Sequence, residues 1–150
     1  MAVAQKISST NMVDWIGKRK HSSQMTQDEI YWLFRRLKSV EENGLRWRMA
    51  GHTLDRIHQK GINADYWDII SSVWHSEMIE YKVDREKFTG EPEERVVIRS
   101  KAIANKHYNL NVVFSLTERR IVTVWLNHIN DRHDTLDWSI YDKDMPVFNI

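Results

Sequence analysis

At 150 residues the chain is long enough for one domain with a proper buried core, and its 41% hydrophobic and 29% charged residues match an ordinary soluble globular composition. The complete lack of cysteine excludes disulfides and thiolate metal sites and allows a cytoplasmic setting, and no apolar run is long enough to cross a bilayer. A net charge of +1 argues against a dedicated, strongly basic binder of nucleic acid, leaving room only for a local basic face.

Residues 1–25 read as an N-terminal extension and residues 26–150 as a single domain. In the extension, Met12, Val13, Trp15 and Ile16 fit a short amphipathic turn, and the basic stretch Gly17 to Ser23 reads as a solvated linker. The first clear element begins at Thr26. Thr26 and Glu29 have capping-box spacing, and Ile30, Leu33, Phe34, Leu37 and Val40 follow at helical spacing, predicting a helix over 26–43 that stops at Asn43-Gly44. A second helix is expected over roughly His52 to Lys60, anchored by Leu54 and Ile57 and stopped by Gly61. Asn63 suits the cap of a third, with Asp65 in its first turn and Trp67, Ile70, Val73 and Trp74 as its apolar face. The chain's seven tryptophans are expected in the core or at an interface, because Trp is costly to leave in water.

Past residue 77 the period changes to two. Strands are expected over 78–83, 95–101, 110–116 and 121–127, with 84–94 as a long polar hairpin loop and 117–120 as a tight connection. Short links favour antiparallel pairing, and helices before strands favour an α+β fold with the helices on one face of a four-stranded sheet. The tail 128–150 is expected to hold little regular structure beyond a short strand near Trp138 to Tyr141, with Trp138, Ile140, Val147 and Phe148 packing back.

Side chains alternate across a strand, so parity sorts them. If Ile79, Tyr81, Val83, Val96, Ile98, Leu110, Val112, Phe114, Val122, Val124 and Leu126 face the helices, the other face gathers Glu80, Arg99, Ser115, Thr123, Trp125 and Asn127. That set is polar, mixed in charge and carries an aromatic platform. A solvated sheet face is its plain alternative.

On the second helix His52 and Arg56 lie four residues apart, one turn apart on one face. Histidine exchanges protons near neutral pH, and arginine holds phosphate with two parallel hydrogen bonds. Together with Lys60-Gly61-Ile62, Val97-Ile98-Arg99 and Ile121-Val122-Thr123-Val124, this order resembles the small ribonuclease-toxin superfamily that unites barnase, EndoU, colicin nuclease and RelE-type domains. It is most similar to the phage and polymorphic-toxin branch. The match covers about residues 50–127, roughly half the chain, through short and degenerate motifs.

The resemblance implies a metal-independent endoribonuclease with no cofactor and RNA as substrate. The RNA 2′-hydroxyl would attack the adjacent phosphate while an acid and a base move protons and cations stabilise the phosphorane. Under that expectation His52 is acid or base, Glu80 the other proton-transfer group, Arg56 and Arg99 phosphate clamps, and Thr123 or Ser115 a hydrogen-bond donor. Trp125, with Asn127 beside it, would stack on a base. Each also has a plain role: His52 as a helix-opening residue, Arg56 as a surface ion-pair member, Arg99 as a strand charge, Thr123 as a strand former.

Residues 128–134 carry imidazoles and carboxylates but no recognised metal-ligand spacing, and neither a glycine-rich phosphate loop nor a Gly-x-Ser-x-Gly elbow occurs. The alternative to the nuclease is a non-catalytic phage or mobile-element protein on the same scaffold that binds and inhibits a host protein. Near-neutral charge and abundant tryptophan favour it.

Overall fold

Three helices cover one face of a five-stranded antiparallel sheet in the computed structural model, which describes residues 12–104, 107–131 and 137–150. The α+β expectation is met with one strand more than the four expected. Among the described residues no helix is long and apolar enough to cross a membrane.

Helix α1 spans Gln27–Glu42. The Thr26 hydroxyl accepts from the Glu29 N–H at 3.1 Å and the Glu29 carboxylate accepts from the Thr26 N–H at 2.9 Å, so two N-terminal donors are satisfied locally. At the other end Gly44 takes φ +72°, and the Gly44 and Leu45 N–H groups donate to the carbonyls of Glu41 and Val40, both at 2.9 Å. Leu33, Leu37 and Val40 are buried, while Ile30 and Phe34 flank the core half-exposed. Helix α2, Gly51–Gln59, ends by the same device. Gly61 at φ +80° donates to His58 at 3.0 Å, Ile62 donates to Ile57 at 3.1 Å, and both isoleucines are buried. Helix α3, Tyr66–Ser71, is capped by Asp65 through a capping box with Asp68, not by Asn63, and runs on as a 3-10 turn over Ser72–His75.

The sheet order is β1-β2-β3-β4-β5, with β1 Arg19–His21, β2 Ser76–Arg85, β3 Pro92–Ala104, β4 Tyr108–Ser115 and β5 Arg120–His128. Strand β1 comes from the basic stretch expected to be a linker. It pairs with β2 and places Lys20 on the helix side, where the buried ammonium meets Glu29 at 3.2 Å. Met12, Trp15 and Ile16 pack on the core, so residues 12–25 belong to the fold rather than preceding it; residues 1–11 of the expected extension lie outside the described residues. The hairpin loop is shorter than expected because β2 and β3 extend to Arg85 and from Pro92.

Two bulges reset the parity. Ile79 is an extra residue in β2 between the pairs Met78–Ile98 and Glu80–Val97, and Val122 is extra in β5 between Val113–Thr123 and Phe114–Ile121. Ile79 and Val122, expected to face the helices, therefore join Val97 and Val113 in a small apolar patch on the opposite face. Met78 and Ile121 take their places in the main core. That core lies between sheet and helices and is closed by Met145, Val147 and Phe148 of the tail, each under 3% exposed. Of the residues expected to pack back onto the domain, Val147 and Phe148 are buried, Trp138 sets one edge against His21, and Trp138 and Ile140 stay exposed on a 3-10 turn, while Tyr141 forms a single parallel bridge with Arg19 in place of the expected short strand.

Candidate functional site

The residues expected to act on RNA divide between two faces. Register puts Glu80, Arg99, Ser115, Thr123, Trp125 and Asn127 on the sheet face away from the helices, as parity predicts, because each pairs in register with Val97, Val113 or a residue of their parity. His52 and Arg56 are exposed on α2, which is anchored by buried Ile57 in the helix-side core and lies against β5. The expected convergence of His52, Arg56, Arg99 and Thr123 on one cleft is thus not built. The sheet separates the α2 pair from Arg99, and parity along single strands carries no information about which layer α2 joins.

Most of the sheet residues are already committed. Arg99 is 5% exposed and donates to the Asn109 side chain at 3.1 Å, to the His128 carbonyl at 2.6 Å and to the Asp131 carbonyl, pinning the turn after β5. The buried Ser115 hydroxyl donates to Glu93 at 2.9 Å and accepts from the Glu118 N–H at 3.1 Å. Glu80 is 7% exposed, ion-paired with Arg19 at 3.3 Å and accepting from the Tyr141 hydroxyl at 2.9 Å. Burial first, and the Glu80 charge second, push the Tyr141 phenol up to about 12. His21 packs edge-on against Trp138 and Tyr141, so this group fastens the tail to the sheet. Trp125 donates to Asn127 at 3.0 Å, and Asn127 donates to Asp131 at 3.1 Å. Thr123 is exposed. Of the 128–134 stretch, residues 132–134 lie outside the described residues; His128 accepts from the Asn130 N–H at 3.1 Å. No group of three metal-ligating side chains occurs among the described residues.

A different surface stands open on the helix layer. Two adjoining hollows, of about 510 and 390 Å³, share Trp74 and form one groove between α1 and the α3 segment. Its walls are Tyr31, Phe34, Trp67 and Trp74, and its floor reaches Trp47. Trp67 is 60%, Tyr31 65% and Trp74 45% exposed, although helical spacing placed both tryptophans on the buried face. The reason is local. Ile69, Ile70 and Val73 supply the buried stripe, and the tightening to 3-10 geometry after Ser71 rotates later side chains away from an α-helical wheel. The competing stripe at residues 69, 70 and 73 was the sequence signal that could have freed the tryptophans.

The floor of the groove is tied to the core. The Tyr66 hydroxyl donates to the Trp47 carbonyl at 2.8 Å, Tyr66 meets Trp67 edge-on at 5.3 Å, and buried Trp47 packs on Phe114 of the core at 4.6 Å. Lys38 holds its ammonium over Trp74 at 5.1 Å and Phe34 at 5.8 Å, and Arg46 lies over Trp67 at 5.6 Å. Neither cation has a carboxylate within ion-pair distance among the described residues. The wall carboxylates are few: Asp68 accepts from the Asp65 N–H at 2.9 Å, and Glu41 is exposed. With no histidine and no paired carboxylates, the groove suits the binding of apolar groups rather than proton transfer.

Compared with known proteins, the chain matches no family model, no curated protein and no solved structure.

Proposed function

We propose that this chain is a binding protein that engages a host protein through the aromatic groove, the alternative that charge and tryptophan content favour in the sequence. One observation carries the reading: Tyr31, Trp67 and Trp74 stand in water around two hollows that share Trp74, over a floor tied to the core. Isolated exposed aromatics need no explanation, but a set gathered around adjoining hollows marks an interaction surface. Large, stiff aromatic side chains are also the groups that dominate binding energy at protein interfaces. The test sets the full chain against Trp67→Ala and Trp74→Ala in partner capture, beside an RNA degradation assay with and without divalent metal. Capture lost in both groove variants, with RNA left intact, is the expected result.

RNA cleavage is the second reading. It is favoured by His52 and Arg56, both exposed on α2 and one helical turn apart. In this reading Arg99 leaves the catalytic set and serves as a loop anchor. Purified protein that degrades RNA, with the rate falling about 10²–10⁴-fold in His52→Ala, would replace the first reading with this one.

A further inference from the structure

The groove has a length, two anchor sites and an unpaired charge over the ring they share. It follows α1 from Gln27 to Glu41, a distance of about 21 Å at the helical rise. Along α1 the smaller hollow is lined by residues from Gln27 to Lys38 and the larger by Glu41, so the two succeed one another along the helix axis. Half-buried Lys38 lines the smaller hollow, its ammonium held over the ring of Trp74 that both hollows share.

Resting on the reading of this groove as a protein-binding surface, we propose that its occupant is an acidic amphipathic helix of the partner. Three physical arguments combine. First, the walls are side chains of helices, and an extended segment laid here would present its backbone N–H and C=O groups to aromatic rings that cannot satisfy them. A helix bonds its own backbone and brings only side chains to the walls. Second, residues at i, i+4, i+7 and i+11 share one helix face and span about 16 Å, so a single helix can reach both hollows, which succeed one another along α1. Apolar anchors at i and i+11, with i+4 and i+7 resting on Trp74, would fill the groove from end to end. Third, covering the groove removes water from Lys38. A cation buried without an anion is strongly unfavourable, so the partner must bring a carboxylate to the middle of its contact face. Arg46, over Trp67 at the far end, can meet a second.

The experiment is a selection of random 20-residue displayed peptides on the full chain, counter-selected on Trp74→Ala, with Tyr31→Ala run beside it because Tyr31 is the more exposed ring. Circular dichroism of both variants serves as the control for folding. The expected binders are helical, with apolar residues at i, i+4, i+7 and i+11 and Asp or Glu between them. Their affinity should fall at least tenfold on Lys38→Glu and be largely kept on Lys38→Arg. Groove-dependent binders that are proline-rich or extended, or that ignore Lys38→Glu, overturn the acidic-helix assignment and leave the binding surface standing. A selection that yields no groove-dependent binder overturns both.

Discussion

Glu94 is the residue on which three parts of the chain meet. Its buried carboxylate accepts two bonds from Arg36 of α1 at 2.8 and 3.1 Å, one from the Tyr81 hydroxyl at 2.6 Å and one from Asn149 at 2.9 Å. The Tyr81 hydroxyl in turn accepts from the Phe148 N–H at 3.3 Å. Burial first, and the neighbouring carboxylate second, hold the Tyr81 phenol well above its ordinary value, so it serves as a fixed donor. Glu94→Ala leaves Arg36 and Tyr81 without their acceptor and should cost about 3–5 kcal/mol in urea unfolding; a loss under about 1 kcal/mol would contradict the hub role. Tyr141 makes a prediction in pH. Its folded pKa is raised, so its contribution is complete below about pH 10 and fades as the pH climbs through about 12. Tyr141→Phe should therefore be less stable than the parent near pH 8, with the gap closing between pH 10 and 12. Denaturant midpoints measured across that range check it, and a gap that widens with pH would refute it.

At the scale of elements, helix ends are the best-determined features. Thr26 and Glu29 start α1 and Gly44 ends it; Gly61 ends α2 with Ile62 folded onto Ile57. The Lys60-Gly61-Ile62 sequence thus has a complete structural explanation as a helix stop. Gly61→Ala places a Cβ at φ +80° with no atom within 4 Å to clash, so its cost is backbone strain alone, about 1–2 kcal/mol, with Gly61→Asn milder. Thermal unfolding distinguishes this from a neutral change. Thr26→Ala should cost about 1 kcal/mol through the lost cap. The bulges at Ile79 and Val122 act in the opposite sense, since one inserted residue moves side chains to the other face without any mark in the local hydrophobic pattern.

For the whole molecule, the tail decides closure. Residues 137–141 lie at the outer side of β1, where Tyr141 meets Glu80, and Met145 to Phe148 enter the helix-side core, so the tail passes around the free edge of the sheet. That edge is thereby covered rather than left for pairing with another chain. Phe148 is fully buried, and Phe148→Ala should cost about 3–5 kcal/mol. Trp67→Ala, by contrast, removes a side chain that is 60% exposed and should leave the unfolding temperature nearly unchanged while weakening partner binding. A large stability loss in Trp67→Ala would mark that ring as packing rather than as binding surface.

The sequence alone determined what is local. Caps, helix stops, strand alternation and the helices-then-strands order are set by neighbouring residues, and Thr26, Gly61, Val96 and Val112 carry those signals within a few positions. Parity also placed Arg99, Ser115, Thr123, Trp125 and Asn127 on the outer face, because no bulge intervenes between them and their in-register neighbours. Only the tertiary structure decided the rest. Strand β1 exists because β2, about sixty residues away in the chain, offers it an edge, and because the helix that follows turns Glu29 back to give Lys20 a carboxylate. His52 and Arg99 share a polypeptide but not a face, since the layer a helix joins depends on packing across the sheet. The tryptophans at 67 and 74 stay in water because Ile69, Ile70 and Val73 already fill the space above the sheet, and burial is a competition that no single residue's hydrophobicity can settle.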